Sequence, residues 1–203
     1  MENTDYQEYH SKRKSKKGLI ISTIIIVTIA FIGGGGYSWY KYQQDQKEKY
    51  AKKLAKTSAE IQLEFLLASI VADGSSDVWN DAIDDGRDFN LQLTTYHDIL
   101  SENGTVKERK NGQKKIRNMM KALQNPPDDY NESYKVLKQI YGIYSKMLDQ
   151  ALYPSGSLLE FNRNINDLYN QFEQKKEELS ITLPTDVKKL KKKYDTKNQK
   201  ELE

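Results

Sequence analysis

Beyond Lys41 the apolar residues return every three or four positions, the period of a helix that buries one face. Tyr50, Leu54, Ile61, Phe65 and Ala68 recur at near-heptad spacing. They predict a first helix that starts at or before Lys41 and runs to about Val71. Asp73-Gly74-Ser75-Ser76 reads as the loop that ends it and offers serine caps to the next element. A second helix is predicted over 77–101, with Val78, Trp79, Ile83, Phe89, Leu93, Tyr96 and Leu100 on its apolar face. Gly86 marks a bend or break inside it, and Glu102-Asn103-Gly104 closes it with glycine where a helix terminus wants it.

The third helix is predicted over 106–123. Thr105-Val106-Lys107-Glu108 has the form of a capping box. Its apolar set is small (Val106, Ile116, Met119, Met120 and Leu123), and Gly112 weakens its first half. The fourth is the clearest. Asn125-Pro126-Pro127-Asp128 supplies a cap, first-turn prolines and an acid for the helix dipole. Tyr130, Tyr134, Leu137, Tyr141, Tyr144, Leu148 and Ala151 follow at 4-3 spacing, with Val136, Ile140, Ile143 and Met147 as a second stripe. A helix apolar on two adjacent faces belongs in the middle of a bundle. Pro154-Ser155-Gly156 ends it. A second capping box, Ser157-Leu158-Leu159-Glu160, opens the fifth helix, on Leu158, Phe161, Ile165, Leu168, Phe172 and Leu179. Ile181-Thr182-Leu183-Pro184 is a non-helical exit. The rest is a lysine-rich tail with Val187, Leu190 and Tyr194 on one side.

Upstream the pattern changes. Gly18 to Tyr40 carries no charge and is rich in Ile, Val, Leu and Phe. As a helix it spans roughly 33 Å at about 1.5 Å per residue, enough for a hydrocarbon core of about 30 Å. Lys12, Arg13, Lys14, Lys16 and Lys17 precede it, and Tyr37, Trp39 and Tyr40 stand where an aromatic belt meets the far headgroups. The basic flank predicts a cytoplasmic N-terminus. Gly33-Gly34-Gly35-Gly36 is read as a flexible joint, ahead of a helix–helix contact through Ala30 and Gly34. A cleaved signal peptide is the rival to a retained anchor, with the glycines as the cleavage region.

These readings define an all-α fold: a single N-terminal transmembrane helix followed by an antiparallel helical bundle of four to five helices. The expected divisions are a cytoplasmic basic segment (1–17), the span or signal anchor (18–40), an extracytoplasmic bundle (41–183) and a basic polar tail (184–203). The bundle region is long enough to bury a core. The chain has no cysteine, so neither disulfides nor a lipoprotein anchor hold it. The Asn103 and Asn131 sequons are read as chance.

A net charge of +3 hides segregation. Acids dominate 73–102. Bases dominate 106–121, as Lys107, Arg109, Lys110, Lys114, Lys115, Arg117 and Lys121 against Glu108. Lys188, Lys189, Lys191, Lys192 and Lys193 form a further cluster. Both basic groups are candidate contacts for a polyanion or lipid. The plainer reading has the basic helix pairing with its acidic sequence neighbour.

Catalytic and metal patterns fit poorly. The two histidines, His10 and His97, fall on opposite sides of the expected membrane, and no zinc-ligand spacing occurs. Asp81–Asp88 fails as a calcium loop, because Ile83 and Gln92 occupy ligand positions. The acids sit at helix-polar positions, unlike paired glycosidase carboxylates in a cleft. The tyrosine row suits a stacking platform less well than a core seam.

The plan resembles small membrane-anchored, extracytoplasmic helical proteins of Gram-positive bacteria and their mobile elements. The anchor, the missing cysteine and the Leu152–Asn162 segment carry that resemblance, which implies no named activity. The expectation is a non-enzymatic single-pass surface protein without a cofactor. Its partners would be the membrane and another envelope protein or anionic envelope polymer. Nucleic acid is not expected, and oligomers remain open. It would serve as an adaptor, an immunity or exclusion factor, or an accessory subunit. The alternatives are a phage-type holin or lysis protein and, third, an envelope hydrolase.

Overall fold

A computed structural model describes the backbone of residues 16–200 and the side chains of residues 37–200. The described residues form six helices and no strand: α1 (Lys16–Asp84), α2 (Phe89–Glu102), α3 (Thr105–Lys121), α4 (Asn131–Leu152), α5 (Leu158–Thr182) and α6 (Thr185–Lys200). A short 3-10 turn, Asp128–Tyr130, leads into α4. The chain divides into two compact units, Met1–Gln46 and Lys47–Glu203.

In the first unit the backbone is helical from Lys16, and Tyr37, Trp39 and Tyr40 are solvent-exposed. The span expected over 18–40 and its flank of Lys12, Arg13, Lys14, Lys16 and Lys17 lie largely outside the described residues. Among those that are described, no helix is long and apolar enough to cross a membrane.

The second unit is an all-α bundle. Its directions follow from named contacts. Tyr50 Oη donates to the Leu123 carbonyl (3.0 Å), while Arg109 reaches Glu64 (2.8 Å), so α3 runs against α1. Ser76 Oγ donates to Asn162 Oδ1 (2.6 Å), and the Phe65 and Phe172 rings stack with centroids 3.7 Å apart, so α5 also opposes α1. Ser133 Oγ, at the start of α4, donates to the Thr182 carbonyl at the end of α5 (2.8 Å). The core joins Leu54, Ile61 and Phe65 of α1 to Ile116 of α3, Leu137 and Met147 of α4, Phe161 and Phe172 of α5, and Val187 of α6. Each large apolar side chain so buried contributes about 1.5–3 kcal/mol.

Besides Ile181 and Thr182, expected in a non-helical exit but helical at the end of α5, element boundaries differ from the sequence reading in three places. Asp73-Gly74-Ser75-Ser76 is not a loop; α1 continues through it and takes in 77–84, expected in the second helix. Each turn-forming residue has a helical or tertiary use instead. Ser75 Oγ donates back to the Val71 carbonyl (3.2 Å), Asp73 accepts from the Tyr169 hydroxyl (3.0 Å), and Gly74 makes room for the Tyr96 ring of α2. The chain breaks at Gly86 (φ 65°), and Asp88 caps α2 by accepting from the Asn90 (2.9 Å) and Leu91 (3.2 Å) amides. Second, Thr105 does not cap α3. Gly104 stands at the N-cap with φ 88°, and Asn103 Oδ1 accepts from both the amide and the hydroxyl of Thr105. Third, Pro126 and Pro127 precede the 3-10 turn rather than filling the first turn of α4. The Ser157 cap does form, accepting from the Glu160 amide (3.2 Å).

Thr185–Lys200 is a packed helix. Val187 is fully buried, and Leu190 and Tyr194 pack against the core. Asn198 Nδ2 donates to the Ala59 carbonyl (3.3 Å), and Lys191 Nζ to Gln62 Oε1 (2.8 Å), which ties α6 to α1.

Candidate functional site

The seven basic residues of 106–121 divide into two groups by helix geometry. At about 100° per residue, Arg109 shares a face with Gly112, Ile116 and Met120, and all four are buried. Arg109 Nη1 reaches Glu64 Oε2 at 2.8 Å, with both side chains about 10% exposed. Lys115, on the flank, reaches Glu60 Oε2 at 2.6 Å. Glu60 and Glu64 lie one turn apart on α1, so two carboxylates of one helix meet two cations of the other. The basic helix therefore pairs inward with α1, and not, at these two residues, with the acidic 73–102 stretch.

The Glu64–Arg109 pair is nearly withdrawn from water, whereas Lys115 reaches Glu60 from an exposed position. Burial raises the Glu64 carboxyl pKa, and the opposing pull of Arg109 and Lys115 does not cancel it. That direction sits beside a short ion pair, and burial is the larger effect because both partners have left water. Tyr144 of α4 is fully buried near the pair. Its phenol pKa is raised by burial first and the Glu64 charge second, and its hydroxyl makes no hydrogen bond. The tyrosine row of α4 thus splits: Tyr130 and Tyr144 are core residues, while Tyr134 and Tyr141 are half-buried at its edge.

Lys107, Lys110, Lys114, Arg117 and Lys121 all face solvent. Lys110 Nζ lies 5.9 Å from the centre of the Tyr153 ring, within cation–π range. The second basic cluster is different in kind. Lys191 is held by Asp195 (2.8 Å) and Gln62, whereas Lys188, Lys189, Lys192 and Lys193 are exposed on α6. The structure brings together neither the two clusters nor their acids into one site.

His97 packs on α1. Its Nε2 lies 3.4 Å from Ser75 Oγ, and burial lowers the ring pKa, with Asp98 pulling weakly the other way. Ser75 is fully buried and already donates to Val71, and Asp98 points to solvent. This Ser–His contact packs α2 against α1, with Ser75 buried beneath the ring. His10 lies outside the described residues. Among the described residues no three His, Asp or Glu side chains gather in a metal-binding group. A groove of about 370 Å³ runs between α1, α5 and α6, floored by Leu63, Phe65, Leu66 and Phe172. Leu66 and Ile70 continue it onto the open face of α1.

Sequence reasoning missed Glu60, Glu64 and the role of Gly112. A signal was present: Arg109, Gly112 and Ile116 share a face by their 3-4 spacing, which places a charge in the seam. No family model matches the chain, and no curated protein or solved structure shows significant similarity to it.

Proposed function

We propose that this is a single-pass membrane protein whose helical bundle stands on the extracytoplasmic side and binds an envelope component without catalysing a reaction. The observation that carries the reading is the uncharged Gly18–Tyr40 stretch behind five basic residues. A helix of that length and composition is stable across lipid, and the basic flank holds the N-terminus inside. α1, which contains the stretch, goes on to contribute Leu54, Ile61 and Phe65 to the core of the bundle. Leu66 and Ile70, exposed one turn apart on α1 beside the groove floored by Phe65 and Phe172, support a binding role, because contiguous exposed apolar surface marks interaction sites.

Protease shaving of intact cells, with the mass of the cell-associated chain read in parallel, tests this. The expected outcome is digestion of the bundle from a full-mass, membrane-bound protein. A shortened product starting near Gly36 and released to the medium would mean a secreted bundle. Protection in intact cells that is lost on lysis would reverse the topology and sink the reading.

A further inference from the structure

We infer that the outer face of α3 is a binding surface for a linear phosphodiester polymer. Viewed down the helix at about 100° per residue, Lys107, Lys110, Asn111, Lys114, Arg117, Asn118 and Lys121 fall within an arc of about 120°. Every one of them is exposed. The arc holds five cations and two amides, no acid and no apolar side chain. Glu108 lies off the arc, on the flank it shares with Lys115.

The five charges follow one another at three- and four-residue steps along about 21 Å of helix. A straight row of that kind matches a polymer carrying one negative charge per repeat, because successive phosphates meet successive cations. The amides of Asn111 and Asn118 stand between the cations as further donors to phosphate oxygens. The fold protects this row from self-neutralisation. Glu60 and Glu64, the acids on the helix that α3 packs against, are already taken up by Lys115 and Arg109.

A membrane surface is the poorer fit. Helices that lie on lipid carry Trp, Phe or Leu beside their cations to enter the acyl boundary. The apolar residues of α3 instead face the core, with Ile116 and Met120 buried. The α6 lysines make a second contrast. Lys188, Lys189, Lys192 and Lys193 share an arc of about 140° but cover only about 8 Å of helix, too short a row for more than two or three successive phosphates.

This inference names the partner class within the binding reading above. Its test uses the full chain in phosphatidylcholine nanodiscs, titrated with fluorescent poly(glycerol phosphate). Saturable binding is expected, weakening with salt at a log–log slope of about 3 to 4 for five neutralised charges. The triple variant K110Q/K114Q/R117Q should bind at least about tenfold more weakly at low salt and lose about 2 from that slope. The triple variant K188Q/K189Q/K192Q should change affinity by less than about twofold. These side chains are exposed, so unchanged circular dichroism should accompany the loss, with melting lowered by no more than the Lys110–Tyr153 contact contributes. Equal binding by the α3 variant and the parent would overturn the assignment. So would capture by phosphatidylglycerol vesicles that depends on the same residues while the polymer fails to bind. Shaving decides location separately: polymer binding with a cytoplasmic bundle keeps this surface and discards the topology, and an exported bundle that ignores the polymer does the reverse.

Discussion

Gly112 of α3 lies against the carboxyl group of Glu64 on α1, so close that a methyl group there would overlap it. The Glu64 carboxylate cannot simply swing aside, because Arg109 holds it and the site is buried. Gly112→Ala gains about 1 kcal/mol of helix propensity but costs about 1–3 kcal/mol of overpacking. Net destabilisation is expected. Gly142 of α4 is the contrast, exposed and with open space where its Cβ would go. Gly142→Ala should stabilise by about 0.5–1 kcal/mol. Urea unfolding of the two variants checks both signs, and a stabilised Gly112→Ala would mean that the close approach is loose in solution.

Glu64 and Arg109 act as a unit. Removing one partner strands the other charge in the interior, at a cost of about 3–5 kcal/mol. Replacing both with apolar residues of similar size removes the desolvation penalty together with the attraction. Glu64→Ala and Arg109→Ala should each be strongly destabilising, while the E64L/R109M double variant should stay within about 1 kcal/mol of the parent or exceed it. A double variant as unstable as the two singles summed would show that the residues do not depend on each other.

The Tyr144 hydroxyl is buried without a hydrogen bond. An unpaired buried hydroxyl costs about 1–3 kcal/mol. Tyr144→Phe keeps the ring and deletes the unpaired group, so the variant should be more stable by about 1 kcal/mol. A loss of that size instead would reveal a partner for the hydroxyl, such as the Glu64 carboxyl beside it.

His97 makes the stability of the bundle depend on pH. Burial between α2 and α1 lowers its pKa from the ordinary 6.5. Below 6.5 the unfolded chain binds a proton that the folded chain refuses, so the contribution is present above that pH and is lost as pH falls toward the folded value. Between about pH 7.5 and 5.5 the parent should lose more stability than His97→Gln. Equal losses, read from denaturant midpoints, would place the ring in solvent.

The periodic apolar positions determined the helical class and most of the buried set. Leu54, Ile61, Phe65, Leu137, Leu148, Phe161, Ile165 and Phe172 are core residues whose 3-4 spacing places them on one face whatever the neighbours are. Ser157 was legible as a cap because its bond to the Glu160 amide is local. Tertiary structure decided where the local signals conflicted. Asp73-Gly74-Ser75-Ser76 has turn chemistry, yet it is helical because Tyr96, Tyr169 and Asn162 each engage it from another element. The lysine-rich C-terminal segment has few apolar residues, and burial of Val187 with the Asn198 and Lys191 bonds to α1 makes it a helix of the bundle. The division of the α3 cations had the same origin. Sequence set their angles around the helix, but only the position of Glu60 and Glu64 on α1 drew Arg109 into the interior and paired exposed Lys115 at its edge. The other five were left to solvent because no packed element covers that arc.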